Sequence, residues 1–223
     1  MQGTHECLEE FFKNIRNEYE KARTVVVGDG KNIFRGRSHC ISAIAEDLFA
    51  ELICDCVGND LYYFVDQPIR CKMNHLNQTY CPDLAVCEKK DDNKYFICYM
   101  MDLKMDVGWV RNDIDEKLKQ LKEAADNITN AVELGGRHGK NKDEELLFEA
   151  YPDLCYDMVI VSAENAGSKS KSKELIDRSD SNDNIWVLSS GVHPNSYDKT
   201  ANFECRYDDF DQLIKKIKRC VQK

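Results

Sequence analysis

Two apolar runs joined by a polar turn constrain this chain more than any other feature. YCPDLAVCEKK (residues 80–90) and KYFICYMMDLKMD (94–106) flank the sequence Asp91-Asp92-Asn93. Runs rich in aromatic and β-branched residues on either side of a turn signal read as the arms of a β-hairpin. A turn centred near 91–93 sets the register across the two arms. That register brings Asp83 and Asp102 opposite one another or one step off. Strand alternation then puts Asp102 and Lys104 on one face and Leu103 on the other.

Two carboxylates and an ammonium on one strand face are costly inside a fold. The carboxylates repel, and one tends to take up a proton. A hard divalent cation removes the conflict, because Mg²⁺ favours carboxylate oxygens and retains several waters. Such an ion lowers the pKa of a bound water and offsets charge developing on a phosphate. Lys104 can orient or deprotonate that water. An edge strand with one wet face would carry the same residues without chemistry.

The rest of the chain supplies the frame. The N-terminal segment 4–22 is amphipathic and predicts a helix. A second helix starts near Ser38, a candidate N-cap, and runs through ISAIAEDLFAELI. Its apolar stripe is Ile41, Ile44, Ala45, Leu48, Phe49 and Leu52. Glu46 falls at the border of the stripe, placed either to reach a neighbouring sheet or simply to snorkel. LYYFVDQPI reads as a strand, and residues 112–134 as a long helix. A glycine-rich basic loop, GGRHGKNK, and a short helix over 143–150 come next. CYDMVIVSA and NIWVLSSG are strand candidates, separated by a polar, mobile stretch from 167 to 184. A last helix begins near Asp209. The expectation is one domain over 1–223: a core at about 38–163, with the first helix and a strand plus helix at 185–221 as additions. The long helix serves as a crossover between parallel strands, so the class is an α/β fold around a mixed sheet.

This order, a helix with Glu46, strands bearing Pro82-Asp83 and Asp102-Leu103-Lys104, then a long helix and a strand, resembles the PD-(D/E)xK nuclease superfamily. Restriction endonucleases, archaeal Holliday-junction resolvases and lambda-type exonucleases belong to it. The resemblance implies a restriction-endonuclease-like αβββαβ core flanked by helices. It also implies Mg²⁺, replaceable by Mn²⁺, held by Asp83, Asp102 and the Leu103 carbonyl. Lys104 would activate water, and Glu46 would stand for the first-helix acid of many members. The expected activity is DNA endonuclease, most like a type II restriction enzyme subunit acting on duplex DNA as a homodimer. A structure-specific repair or recombination nuclease is one alternative. A non-cutting nucleic-acid-binding protein with the same fold is the other.

The net charge of -9 stands against a general polyanion binder, because nucleic-acid affinity rests on phosphate neutralisation. Contact with DNA must then come from local basic groups. Lys31, Arg35, Arg37, Ser38 and His39 lead into the Glu46 helix, whose N-terminus itself favours anions. Arg137, His138, Lys140 and Lys142 form a second group, and Lys169, Lys171 and Lys173 a third. All three are equally readable as solvated surface. Trp109 is a candidate for base stacking or for packing, and His193 reads as a loop histidine without a matching Cys or Ser partner. The eleven cysteines include no CxxC pair, so a zinc site of paired ligands is not indicated. Most of them read as small buried hydrophobes of a reducing, cytoplasmic compartment. No apolar run approaches the length of a membrane span, and the N-terminus lacks the pattern of a signal peptide.

Overall fold

The computed structural model describes residues 2–24, 32, 35, 37, 39–73, 77–106, 108, 114–137, 145–164, 169–181, 184–198, 200 and 202–222, with backbone alone for residues 2 and 169–171. Helix α1 is Gln2–Ala22 and α2 is Ser42–Val57. The two long arms are β4 (Leu84–Asp91) and β5 (Lys94–Asp106). They pair antiparallel around Asp92 and Asn93, and Asn93 takes the left-handed conformation, φ 60°, that asparagine tolerates.

The LYYFVDQPI segment is two short strands, β1 (Tyr62–Val65) and β2 (Ile69–Lys72). Asp66, with φ 47°, turns the chain between them. β3 (Asn77–Tyr80) closes a hairpin with β2. Helix α3 (Ile114–Thr129) ends earlier than the expected 134. The glycine-rich segment begins as a strand, β6 (Glu133–Arg137). A Cβ added at Gly136 would lie 2.9 Å from both Gln67 Nε2 and Phe148 Cε2 and 3.1 Å from the Pro68 carbonyl. Only glycine lets the strands approach so closely there.

In place of the short helix expected at 143–150, the described residues from 145 on open the long strand β7 (Glu145–Ser162). Leu146 and Phe148 are buried while Glu145, Leu147 and Glu149 are exposed, a period-2 pattern that a strand satisfies and a helix does not. The stretch expected to be mobile contains helix α4 (Lys169–Ser179). β8 (Ile185–Val187) follows, then β9 (Ser189–Ser190), β10 (Glu204–Cys205) and α5 (Tyr207–Val221).

The main sheet has the order β1-β4-β5-β7-β6-β2-β3, with β8 also paired to β7. β5 and β7 are parallel, as are β7 and β8, and the other pairs are antiparallel. The sheet is therefore mixed, and α3 lies on the crossover between β5 and β7. α1, α2 and α5 cover one face, burying Leu8, Phe11, Ile15, Phe49, Ile53, Phe210 and Ile214 with Leu84, Val86, Tyr99, Met101 and Leu103. On the other face, α3 buries Ala125 and Ile128 with Ala85, Met100 and Phe148, and Leu121 with Met158, Ile160 and Leu175.

Within α2 the predicted stripe holds at Ala45, Phe49 and Leu52, but Ile44 is exposed. The helix starts at Ser42 with Ile41 as its cap residue and no side-chain cap; Ser38 lies outside the described residues. Among the cysteines, Cys56, Cys71, Cys87, Cys98 and Cys220 are buried as expected, whereas Cys40 and Cys81 are exposed. No described helix is long and apolar enough to cross a membrane.

Candidate functional site

The β4–β5 ladder pairs Leu84 with Met101, Ala85 with Met100 and Val86 with Tyr99. Continued by one residue, this register sets Asp83 opposite Asp102. Asp83 sits just before β4, and its Oδ2 accepts the backbone N–H of Leu103 at 2.6 Å. Alternation along β5 sends Leu103 into the core beneath α2. Asp102 and Lys104 project to the α3 side.

Lys104 Nζ stands 2.7 Å from Asp102 Oδ2 and 3.7 Å from Asp83 Oδ2. It also donates to the Leu103 carbonyl at 3.3 Å. The approach to Asp102 is close but lacks hydrogen-bond alignment, since that oxygen is buried without a hydrogen-bond partner. The other Asp102 oxygen lies 3.1 Å from Lys117 Nζ. Lys117 was not a candidate from sequence. A signal for it existed: the first turn of a crossover helix packs over the strand it follows.

Glu46 reaches the same place from α2. It shares with Cys40, Ser42, Asp83, Leu103, Lys104 and Met105 a cleft of about 360 Å³. Burial pushes its carboxyl up to about 7, with Asp83 and Asp66 raising it further and Lys104 opposing them. Burial also raises the Asp83 carboxyl; Lys104 opposes the shift, and Asp102 adds to it. Tyr156, on β7 beside Met100, has its hydroxyl pushed far up by burial and then by Asp102 and Asp83. Burial thus dominates at Glu46 and Asp83, while two lysines flank Asp102.

Among the described residues, no three His, Cys, Asp or Glu side chains converge into a preformed metal cage. Mg²⁺ does not require one, since it commonly takes one or two carboxylates and keeps its waters. Asp83, Asp102, the Leu103 carbonyl and Glu46 are the donors that fit it by chemistry. Lys104 would have to turn away from the Leu103 carbonyl to release that oxygen.

Of the basic groups, Arg35 and Arg37 are exposed, with Arg35 donating to the Arg37 carbonyl at 3.3 Å. His39 is half-buried, and its backbone N–H donates to the Ala22 carbonyl. Lys31, Trp109, His138, Lys140 and Lys142 lie outside the described residues. Lys169 and Lys171 lie on α4. Arg137 does not join the site. It pairs with Glu145 at the end of β7 that runs beside Lys94. From Lys94 to Lys104 the strand covers roughly 33 Å at the usual rise.

His193 lies outside helix and strand, as expected of a loop histidine, and it is held in place. Its Nε2 stands 3.4 Å from Asp106 Oδ2, its Nδ1 accepts the Asn195 N–H at 3.0 Å, and its ring meets Tyr19 edge-on at 5.7 Å. Comparison with family models, curated proteins and solved structures returned no match.

Proposed function

We propose that the protein is a Mg²⁺-dependent nuclease that hydrolyses DNA phosphodiester bonds, using Asp83, Asp102, Lys104 and Glu46. The observation that carries this reading is the position of Lys104. Its ammonium lies between two carboxylates that the hairpin register holds across from each other. A bound Mg²⁺ (or Mn²⁺) would polarise the phosphate and acidify a water. Lys104 holds the attacking water by donating to it. Glu46, in the same cleft as Asp83 and Lys104, would stand by to accept the proton that water gives up. The water oxygen bonds to phosphorus, the phosphorus–oxygen bond to the leaving sugar breaks, and that sugar oxygen takes up a proton.

Duplex cleavage by a restriction-type subunit further asks for a symmetric homodimer that presents two such clefts. A repair or recombination nuclease would use the same residues on branched or damaged DNA.

One observation favours a second reading. Asp102 is already neutralised by Lys104 and Lys117, so this half of the site is balanced without a cation. On that reading the chain binds nucleic acid and does not cut it.

The test is cleavage of plasmid, linear duplex, branched DNA, single strands and RNA with Mg²⁺ or Mn²⁺. Wild type is compared with Lys104→Ala and Asp83→Ala. Cleavage by wild type alone is expected. No cleavage of any substrate sinks the enzyme reading, and activity that survives both substitutions is contamination.

A further inference from the structure

A second cleft, about 460 Å³, lies between α1 and Pro194, Ser196, Phe203, Cys205 and Tyr207. Arg16 and Arg23 line one side, and Ser196, Phe203 and Tyr207 line the other. Each guanidinium is held against an aromatic ring. Arg16 lies 5.0 Å from the Phe203 centroid and Arg23 3.9 Å from that of Tyr197. Arg23 also donates through Nη2 to the backbone and side-chain oxygens of Asn195, the latter at 2.6 Å.

These contacts orient both guanidinium planes but leave donors unused. Arg16 Nη2 and Arg23 Nε are buried and have no hydrogen-bond partner. An unsatisfied buried donor on a charged group is costly, so its presence marks a place where an acceptor belongs.

The other charged lining groups are already engaged. Glu9 accepts the Tyr207 hydroxyl at 2.6 Å, Glu20 has an interaction of its own, and Lys13 is held by Glu10 at 2.9 Å. The planar fork of arginine matches the oxygens of a phosphate. Tyr197 adds a ring that is 80% exposed, fit for a nucleobase to stack on.

We propose that this cleft binds a nucleotidyl phosphate, with its oxygens on Arg16 and Arg23 and its base on Tyr197. The phosphate could arrive on a nucleic-acid strand or on a free mononucleotide. The neighbourhood favours the strand. Tyr19 lies on α1 between the two arginines, and its hydroxyl is raised by burial, then by Asp106 and Cys40. Cys40 lines the Glu46 cleft. Tyr19, between the two cleft arginines in the chain, thus lies near Cys40, which makes the two clefts neighbours. The binding claim stands without hydrolysis; only the role of holding the strand for cutting rests on the nuclease reading.

The test is fluorescence polarisation of a labelled twelve-nucleotide oligo-dT on the full chain in EDTA, with AMP and inorganic phosphate as competitors. Arg16→Gln and Arg23→Gln are each expected to weaken binding about tenfold or more. The slope of log affinity against log salt should fall by about one unit per lost contact. Lys119→Gln, on the exposed side of α3, should bind as wild type. Arg16→Lys and Arg23→Lys keep the charge and lose the fork, and should bind between the two limits even if the Gln variants fold poorly. Arginine-dependent binding of AMP without the oligonucleotide would assign the site to free nucleotides. Binding of neither ligand overturns the proposal, as does equal binding by wild type and all four variants. If plasmid is still cut in that case, the nuclease reading survives alone; arginine-dependent binding with no cleavage anywhere separates the two the other way.

Discussion

The Asp83 carboxylate accepts the Leu103 amide at 2.6 Å, so the β4–β5 ladder ends on a charged side chain. Asp83 thereby has two separable roles, backbone acceptor and site charge. Asp83→Asn retains an acceptor and loses the charge, whereas Asp83→Ala loses both. Both variants should lose cleavage by about two orders of magnitude or more. Only Asp83→Ala should also lose about 1–3 kcal/mol of stability, from the stranded amide. Single-turnover cleavage and thermal unfolding check the two halves separately. Full activity in Asp83→Asn would remove Asp83 from the chemistry.

Glu46 should make stability depend on pH. Its folded-state carboxyl is raised from 4.5 to about 7. The folded chain therefore holds a proton that the unfolded chain has released between those values. Stability falls as pH rises through that window and is flat with respect to this group above it. Glu46→Gln removes the dependence. In EDTA it should match wild type near pH 4 and melt higher than wild type at pH 8. Melting curves at both pH values decide it, and an unchanged difference between them would contradict the raised carboxyl.

The hairpin, its register and the parity of Asp102, Leu103 and Lys104 were legible in the sequence, because turn chemistry and period-2 alternation act locally. The crossover helix was legible for the same reason. The strands β2, β3 and β6 were not, since each is short and gains its meaning from a partner far along the chain. Gly136 illustrates this: it looked like a loop residue, but it is a glycine because Gln67, Pro68 and Phe148 press on it. Residues 145–149 were misread although Leu146 and Phe148 alternate with exposed neighbours, a pattern too short to outweigh an apparent helical run. At the site, Lys117 and the arginines of α1 could not be found from motif spacing. Their relevance comes from packing between elements distant in sequence.

Mg²⁺ should stabilise the fold through the same carboxylates. A ligand that binds only the folded chain adds RT ln(1 + [L]/Kd), about 2.7 kcal/mol at a hundredfold excess over Kd. Millimolar Mg²⁺ or Mn²⁺ should raise the melting temperature of wild type, more at pH 8 than at pH 6, where protonated Glu46 competes with the ion. Asp83→Asn and Asp102→Asn should lose the shift. A shift of equal size in both variants would place the ion elsewhere.

Asp157, on β7, is the buried anchor of the layer opposite α3. It is 1% exposed. Its Oδ2 accepts the Trp186 indole N–H at 2.8 Å and the Lys216 ammonium at 2.7 Å, together with the Tyr99 hydroxyl. The Lys216 charge also lies 5.8 Å and 5.6 Å from the ring centroids of Tyr99 and Trp186. One carboxylate thus ties β5, β7, β8 and α5 together. Removing one partner of such a buried pair leaves the other charge uncompensated, at about 3–5 kcal/mol. Asp157→Ala should lose that much in urea unfolding, and Lys216→Met a comparable amount. The double variant Asp157→Leu/Lys216→Met should lose less than the sum, because neither charge is then stranded. Near-additive losses, or a cost under about 1 kcal/mol for Asp157→Ala, would show that the carboxylate does not hold these elements.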